Sequence, residues 1–410
     1  MSTVDERFLE DLRGSLDART LERIDGLVER IVRVKEKGGN IAVATGSGPN
    51  IHEGVTTLLA HLIERNVIDG IITSSAVVAH EMAGSLDRVK RVDGREFGVG
   101  EDILPRGEIF EATVMDDDTL SMIEDEMIVD TGLIEKVMEM PGEVIIKAAG
   151  NMGYPMGLRT ERLAVEVEGV ARSIGRTFEY TAGLGAHPMT MIGAGAHRNV
   201  PVIVSAPQLV GGGQVGLSIG DSVSFRRRSF LVASILAEAD LVIESGIALS
   251  QEIHDGPLET YTGHGIWSAW EGMRTFSLKN TFLARIDLDV NLERVWEIEK
   301  SGGGVQGSVD RGLPKTKTFK VPFRMEMSGF ARLEGSVPIV GDLGVVWPLL
   351  AYGVSERLRL DLDFISYPQE SEQGVDMRNW IVDHIGILDR RTMIERARGI
   401  MDSHDQVRGV

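Results

Sequence analysis

The stretch Ile41-Ala42-Val43-Ala44-Thr45-Gly46-Ser47-Gly48-Pro49-Asn50, followed by an amphipathic run and then by Val67-Ile68-Asp69-Gly70-Ile71-Ile72-Thr73-Ser74-Ser75, reads as strand, glycine turn, helix, strand. A short apolar run ending in small residues lets the free N–H groups of the next helix face whatever lies beyond the strand's carboxyl end. This is how α/β sheets hold pyrophosphates. A nucleotide cofactor is the first ligand class the stretch implies. It is not the usual dinucleotide fingerprint, because Pro49, Asn50 and Ile51 follow Gly46-Ser47-Gly48 where a third glycine is needed. A tight structural connection therefore stands as the competing reading.

Strand-like runs recur at 41–45, 68–73, 143–148, 201–205, 240–244, 283–288 and 336–340. Most are followed by Gly or Ser and then a helical pattern, as at His52 to Arg65, Ser229 to Ala239 and Val345 to Arg357. Strands alternating with helices on this scale predict a doubly wound α/β fold with a largely parallel sheet covered on both faces. Apolar positions at helical spacing from Phe8 to Val32 add a helical preamble over 5–37. Ser301 to Glu334 carries Gly302-Gly303-Gly304 and period-two alternation, and reads as an inserted hairpin or arm. The chain thus divides into one α/β domain over 1–360 and a polar tail over 361–410, which packs on a neighbouring subunit or on its own domain.

The formal net charge of −19, from 62 acidic against 43 basic side chains among 410 residues, opposes nucleic-acid binding. With no cysteine there is no disulfide, thiolate nucleophile or zinc–thiolate site, which fits a reducing cytoplasm. Charges scattered from Ser2 to Thr20 do not make a signal peptide, and no run approaches the roughly 20 apolar residues of a membrane span.

Ligands of open parallel sheets lie beyond the carboxyl ends of the strands, so the strand-end loops nominate the site. In Thr73 to Glu81, Ser74, Ser75 and Ala76 permit close approach of a cofactor, and His80 and Glu81 follow about a turn later; His80 is an acid or base near neutral pH, or a structural histidine behind a serine cap. The run Ser205 to Gln214 holds Gly211 and Gly212, whose amides suit a ribose, phosphate or carboxylate. Asp287 ends an apolar strand, where a carboxylate binds ribose hydroxyls or caps the next helix. Between His254 and Glu271 stand two of nine histidines and two of five tryptophans, a composition suited to a small cationic substrate or to an interface. His254, Asp255 and His264 lack regular metal-ligand spacing, so no metal is expected.

With these residues in place, the chain resembles the deoxyhypusine-synthase-like NAD-binding proteins. It is most similar to the lysine-oxoglutarate reductase/saccharopine dehydrogenase conserved domain, which includes NAD-dependent ornithine cyclodeaminases. The resemblance is carried by Lys37 to Val43, Gly46 to Pro49, Leu62 to Asp69, Ala76 to Glu81, Asn199 to Val202, Ala239 to Ile243, Ile286 to Asp289, Gly341 to Gly344 and Trp347 to Leu350. It runs in pieces through about residues 5 to 358. It implies a deoxyhypusine-synthase-type fold, a homotetramer or homodimer, and NAD as a transient hydride acceptor in deamination or cyclisation of a small amine or amino acid, a lyase reaction at a C–N bond. The matching cofactor positions are Gly46, Ser47, Gly48, Ser74, Ser75, Ala76 and Asp287, with Gly211 and Gly212 added from the loop reading. His80, Glu81, Glu252, His254 and Asp255 are the catalytic candidates, and Glu244 is a further carboxylate for the substrate amine.

One departure bears on the reaction. Deoxyhypusine synthases carry a lysine that holds the aminobutyl group, and Glu244 to Glu252 places Leu249 there. Aminoalkyl transfer is therefore the alternative activity, with Lys279 or Lys147 replacing the missing amine. A nucleotide-binding oligomer without turnover is the alternative of another class.

Overall fold

The computed structural model describes residues 6–98, 108–150, 152–246, 281–301 and 335–408, with isolated positions at 102, 104, 278, 280, 308 and 311–313. Two helices open it, α1 (Glu6–Gly14) and α2 (Ala18–Glu36), the latter capped by the Asp17 carboxylate, which accepts the amides of Arg19 and Thr20. Next come β1 (Ile41–Thr45), α3 (Pro49–His52), α4 (Val55–Glu64), β2 (Gly70–Thr73) and α5 (Ser75–Met82). An inserted layer follows, with β3 (Leu86–Asp93), β4 (Ile109–Thr113), α6 (Asp117–Glu126), α7 (Thr131–Glu139) and β5 (Glu143–Ala148). The chain returns through α8 (Met156–Ile174), α9 (Phe178–Gly183), α10 (Met191–Arg198), β6 (Val202–Val204), α11 (Gly213–Ser222), α12 (Phe225–Glu238) and β7 (Leu241–Ser245). It closes with β8 (Phe282–Asp287), α13 (Asn291–Lys300), β9 (Val337–Val340), α14 (Leu343–Leu358), α15 (Glu372–His384) and α16 (Arg390–Arg408).

The main sheet has the order β6-β2-β1-β7-β8-β9, and every pairing in it is parallel. Counted along the chain, these six strands run 3-2-1-4-5-6, the order in which doubly wound sheets reverse direction between the first and fourth strands. The reversal falls between β1 and β7, where Thr45 lies opposite Ser245. All five residues of β1 are buried, which is why it reads as a continuous apolar run. Ile41 and Val43 join the core formed with α2, α4 and α14, while Ala42 and Ala44 face the layer of Val232, Leu236 and Trp296. Both faces are covered, as expected of the class.

One expectation is corrected. The run at 143–148 is not in the parallel sheet. As β5 it pairs antiparallel with β3 in a separate sheet of order β4-β3-β5. In β3 the sequence Leu86-Asp87-Arg88-Val89-Lys90-Arg91-Val92-Asp93 places its apolar residues three apart, so neither face shows the period of a strand. The described part of the segment 361–410 packs on the rest of the chain. Its buried Met377, Ile381, Leu388 and Met393 belong to the main core, and the Leu388 amide donates to the Met82 carbonyl at 2.9 Å. The arm expected at 301–334 lies almost wholly outside the described residues. No helix among the described residues is long and apolar enough to cross a membrane.

Candidate functional site

The glycine turn after β1 sits at the reversal point. Gly48 has φ 69° and ψ −124°, a conformation that a side chain strongly disfavours, and it starts α3 with Pro49 in the first turn. A Cβ at Gly46 or Gly48 meets nothing within 4 Å, so the outer face of the turn is open. Its inner face is anchored to β7 by a residue that sequence reasoning passed over. Asn50, buried, donates from Nδ2 to the Ser245 carbonyl at 3.3 Å and accepts the Ser245 hydroxyl at Oδ1 at 2.6 Å. Trp347 Nε1 donates in turn to Ser245 Oγ at 2.7 Å. The residue just before the position that lacks the third glycine thus ties the two sides of the reversal together.

The serines after β2 serve the protein itself. Ser74 Oγ accepts the Val77 amide and caps α5, which is the structural reading of that residue. Ser75, fully buried, has its hydroxyl 2.7 Å from the Gln208 carbonyl and 2.8 Å from that of Leu209, and so pins the glycine loop to α5. Gly212 is obligatory at that contact, since a Cβ there lies 2.8 Å from the Ser75 carbonyl oxygen.

These elements border a cleft of about 700 Å³, inside the roughly 300–1,000 Å³ typical of small-molecule sites. Ser47, Ala76, His80, Gly211 and Gly212 line it, joined by Phe110 from the inserted layer, by Ala149, Gly150, Gly153 and Tyr154 from the connection between β5 and α8, and by Gly157 and Glu161 from α8. Glycine and alanine make up much of its wall, and residues from the first turns of α5, α8 and α11 border it. Amides and aligned helix dipoles at those ends favour an anionic ligand without a cationic side chain.

His80 Nδ1 is 2.8 Å from the Ala149 carbonyl. A carbonyl only accepts, so Nδ1 carries the proton and Nε2 keeps its lone pair. Burial pushes the His80 pKa below its ordinary value, with the Ala149 carbonyl opposing and nearby His52 and Lys147 adding to the fall. The ring is thus a neutral base held in one tautomer on the cleft wall.

Glu81 is placed differently. It is fully buried, and its oxygens accept the Met191 and Ile192 amides at 2.8 and 3.0 Å, capping α10. Burial raises its pKa to about 7 against the pull of those two amides. It does not line the cleft, and its role here is structural. Glu244 is also fully buried; Arg285 Nη1 donates to it at 2.7 Å, and burial raises its pKa against the Arg285 charge. Asp287, at the carboxyl end of β8, accepts from Arg285 Nη2 at 3.2 Å and from the Asp289 amide at 3.1 Å, and so opens the turn into α13. Glu252, His254, Asp255 and Lys279 lie outside the described residues. Lys147 does not line the cleft, and its ammonium is paired with Glu111 at 2.6 Å rather than held as a free amine.

No protein-family description matches the sequence, and no curated protein matches it. Solved structures do show distant likeness. The apo structure of ArgZ, an arginine dihydrolase from the ornithine–ammonia cycle in cyanobacteria, is 13% identical over 84% of this chain and 33% of its own, with a TM-score of 0.41. The conserved LOR/SDH protein from Methanococcus maripaludis S2 is 13% identical over 83% of this chain and 70% of its own, also at 0.41. The ternary complex of AgrE with ornithine and NAD+ is 12% identical over 83% of this chain and 34% of its own, at 0.40. This chain spans about a third of the length of ArgZ and AgrE. At such identities and scores the likeness carries no functional argument.

Proposed function

We propose that this chain is an NAD-dependent enzyme acting at a C–N bond of a small amine or amino acid, of the deoxyhypusine-synthase-like, ornithine-cyclodeaminase type. The observation that carries the reading is the coincidence of the open Gly46-Ser47-Gly48 turn with the reversal point of a 3-2-1-4-5-6 sheet, beside a cleft walled by glycine and alanine. These residues fit a dinucleotide, because backbone amides can approach its pyrophosphate without side-chain obstruction. Gly46, Ser47 and Gly48 would hold the phosphates, the amides around Ser74, Ser75, Ala76, Gly211 and Gly212 border the cleft end, and Asp287 would take ribose hydroxyls beyond β8 through the lone pairs that Arg285 and the Asp289 amide leave. When bound, NAD supplies a hydride acceptor.

The chain's own chemistry centres on His80. As a neutral imidazole with Nε2 unprotonated, it removes the proton that a substrate ammonium must lose before its carbon can give up hydride. Ala149 holds the ring by accepting from Nδ1, so the base keeps its tautomer through the reaction. Glu81 is left out of the proton transfers because it is fully buried away from the cleft, with its oxygens accepting the amides of α10.

The test is to denature the freshly purified protein and identify released nucleotide by mass spectrometry, with stoichiometry per chain. Near-stoichiometric NAD supports the reading. No nucleotide, and no binding when NAD is added back, overturns it.

A further inference from the structure

We propose that Glu161 receives the cationic amine of the substrate, so that the cleft selects a primary ammonium; this rests on the reading of the cleft as the substrate site. Glu161 stands on α8, is exposed, and lines the same cleft as His80. The Gln214 amide donates to its Oε2 at 2.7 Å and aims the carboxylate along the glycine loop. A carboxylate accepts at about four positions, so one amide orients it and leaves it able to bind a cation. Its Oε1 takes no hydrogen bond from any described residue.

The helix ends of the cleft suit the anionic part of a dinucleotide, while its charged side chain suits a cation. Among the described lining residues Glu161 is the one with a formal charge, since His80 is held neutral and no lysine or arginine is present. Phe110 and Tyr154, with ring centroids 6.4 Å apart and planes tilted by 44°, add aromatic faces that attract an alkylammonium. Glu81, the residue after His80, shows the contrast: its oxygens each take an amide of α10 in the buried interior, and it does not line the cleft.

A competing role is purely structural, since Glu161 also satisfies an amide at the start of α11. Glu161→Gln separates the two roles, because the glutamine oxygen still accepts from Gln214 while the charge is gone. The whole protein is titrated with n-butylamine and with n-butanol, followed by NMR, in the wild type, Glu161→Gln and Glu161→Asp. The wild type is expected to bind the amine and not the alcohol. Glu161→Gln weakens amine binding about tenfold with an unchanged melting temperature, and Glu161→Asp retains part of the preference. Equal amine binding by wild type and Glu161→Gln overturns the proposal, as does a wild type that binds both probes alike or neither. Bound NAD is measured in the same samples. Its absence alongside a charge-dependent amine response strikes the cofactor reading alone, while its presence alongside an amine response indifferent to Glu161→Gln strikes this proposal alone.

Discussion

The six-stranded and three-stranded sheets meet at one cleft, yet different forces hold them. In the parallel sheet Val43, Ile71, Ile243 and Ile286 are sealed from water, and the ion pair between Glu244 and Arg285 has neither side chain exposed. In the antiparallel sheet Val144 is 55% exposed, and the cross-strand pairs of Arg91 and Lys147 with Glu111 keep their cations in partial contact with solvent. The first is a fixed frame that places the strand ends. The second is a charged, partly wet wall that closes one side of the cleft without deep burial.

The largest test of this division is at the seam. His80 follows β2 of the first sheet and bonds to Ala149 just after β5 of the second. His80→Ala is expected to lower turnover by about 10²- to 10⁴-fold with NAD still bound, as loss of a general base does. The wild-type rate should fall on the acid side only below the ordinary histidine pKa, because burial lowers the value and the working form is neutral. An acid limb centred above that pKa, or unchanged turnover in the variant, removes His80 from the mechanism.

Within the frame, Arg285→Leu leaves Glu244 buried without its partner, and a loss of about 3–5 kcal/mol is expected in denaturant unfolding. Within the wall, Arg91→Gln removes a partly exposed partner from Glu111, which still pairs with Lys147; a loss of about 0.2–1 kcal/mol is expected in the same measurement. Equal losses from the two variants would erase the contrast between the sheets.

The same contrast explains what the sequence made legible. Strands sealed on both faces appear as apolar runs, so β1, β2, β6, β7, β8 and β9 were all readable, with bounds off by a residue or two. The β3 strand hides because its charged side chains pair with neighbours far along the chain, Arg88 with Asp383 and Arg91 with Glu111. The cleft was half legible: Ser47, Ala76, His80, Gly211 and Gly212 came from strand-end reasoning, whereas Phe110, Tyr154 and Glu161 come from elements that nothing local ties to those loops.

Local pattern alone determined the α/β class, the parallel sheet and the open glycine turn, since periodicity and turn chemistry act over a few residues. Tertiary structure decided the strand order, and with it the meeting of the Gly46 turn and Ser245 at the reversal point. It also decided which carboxylate faces a ligand. Glu81 and Glu161 are the same residue type and each accepts at the start of another helix, but Glu81 meets two amides of α10 in a dry interior while Glu161 meets one amide of α11 at an open cleft. A side chain's chemistry is set by its partners and its water, and both are assigned only when distant segments pack.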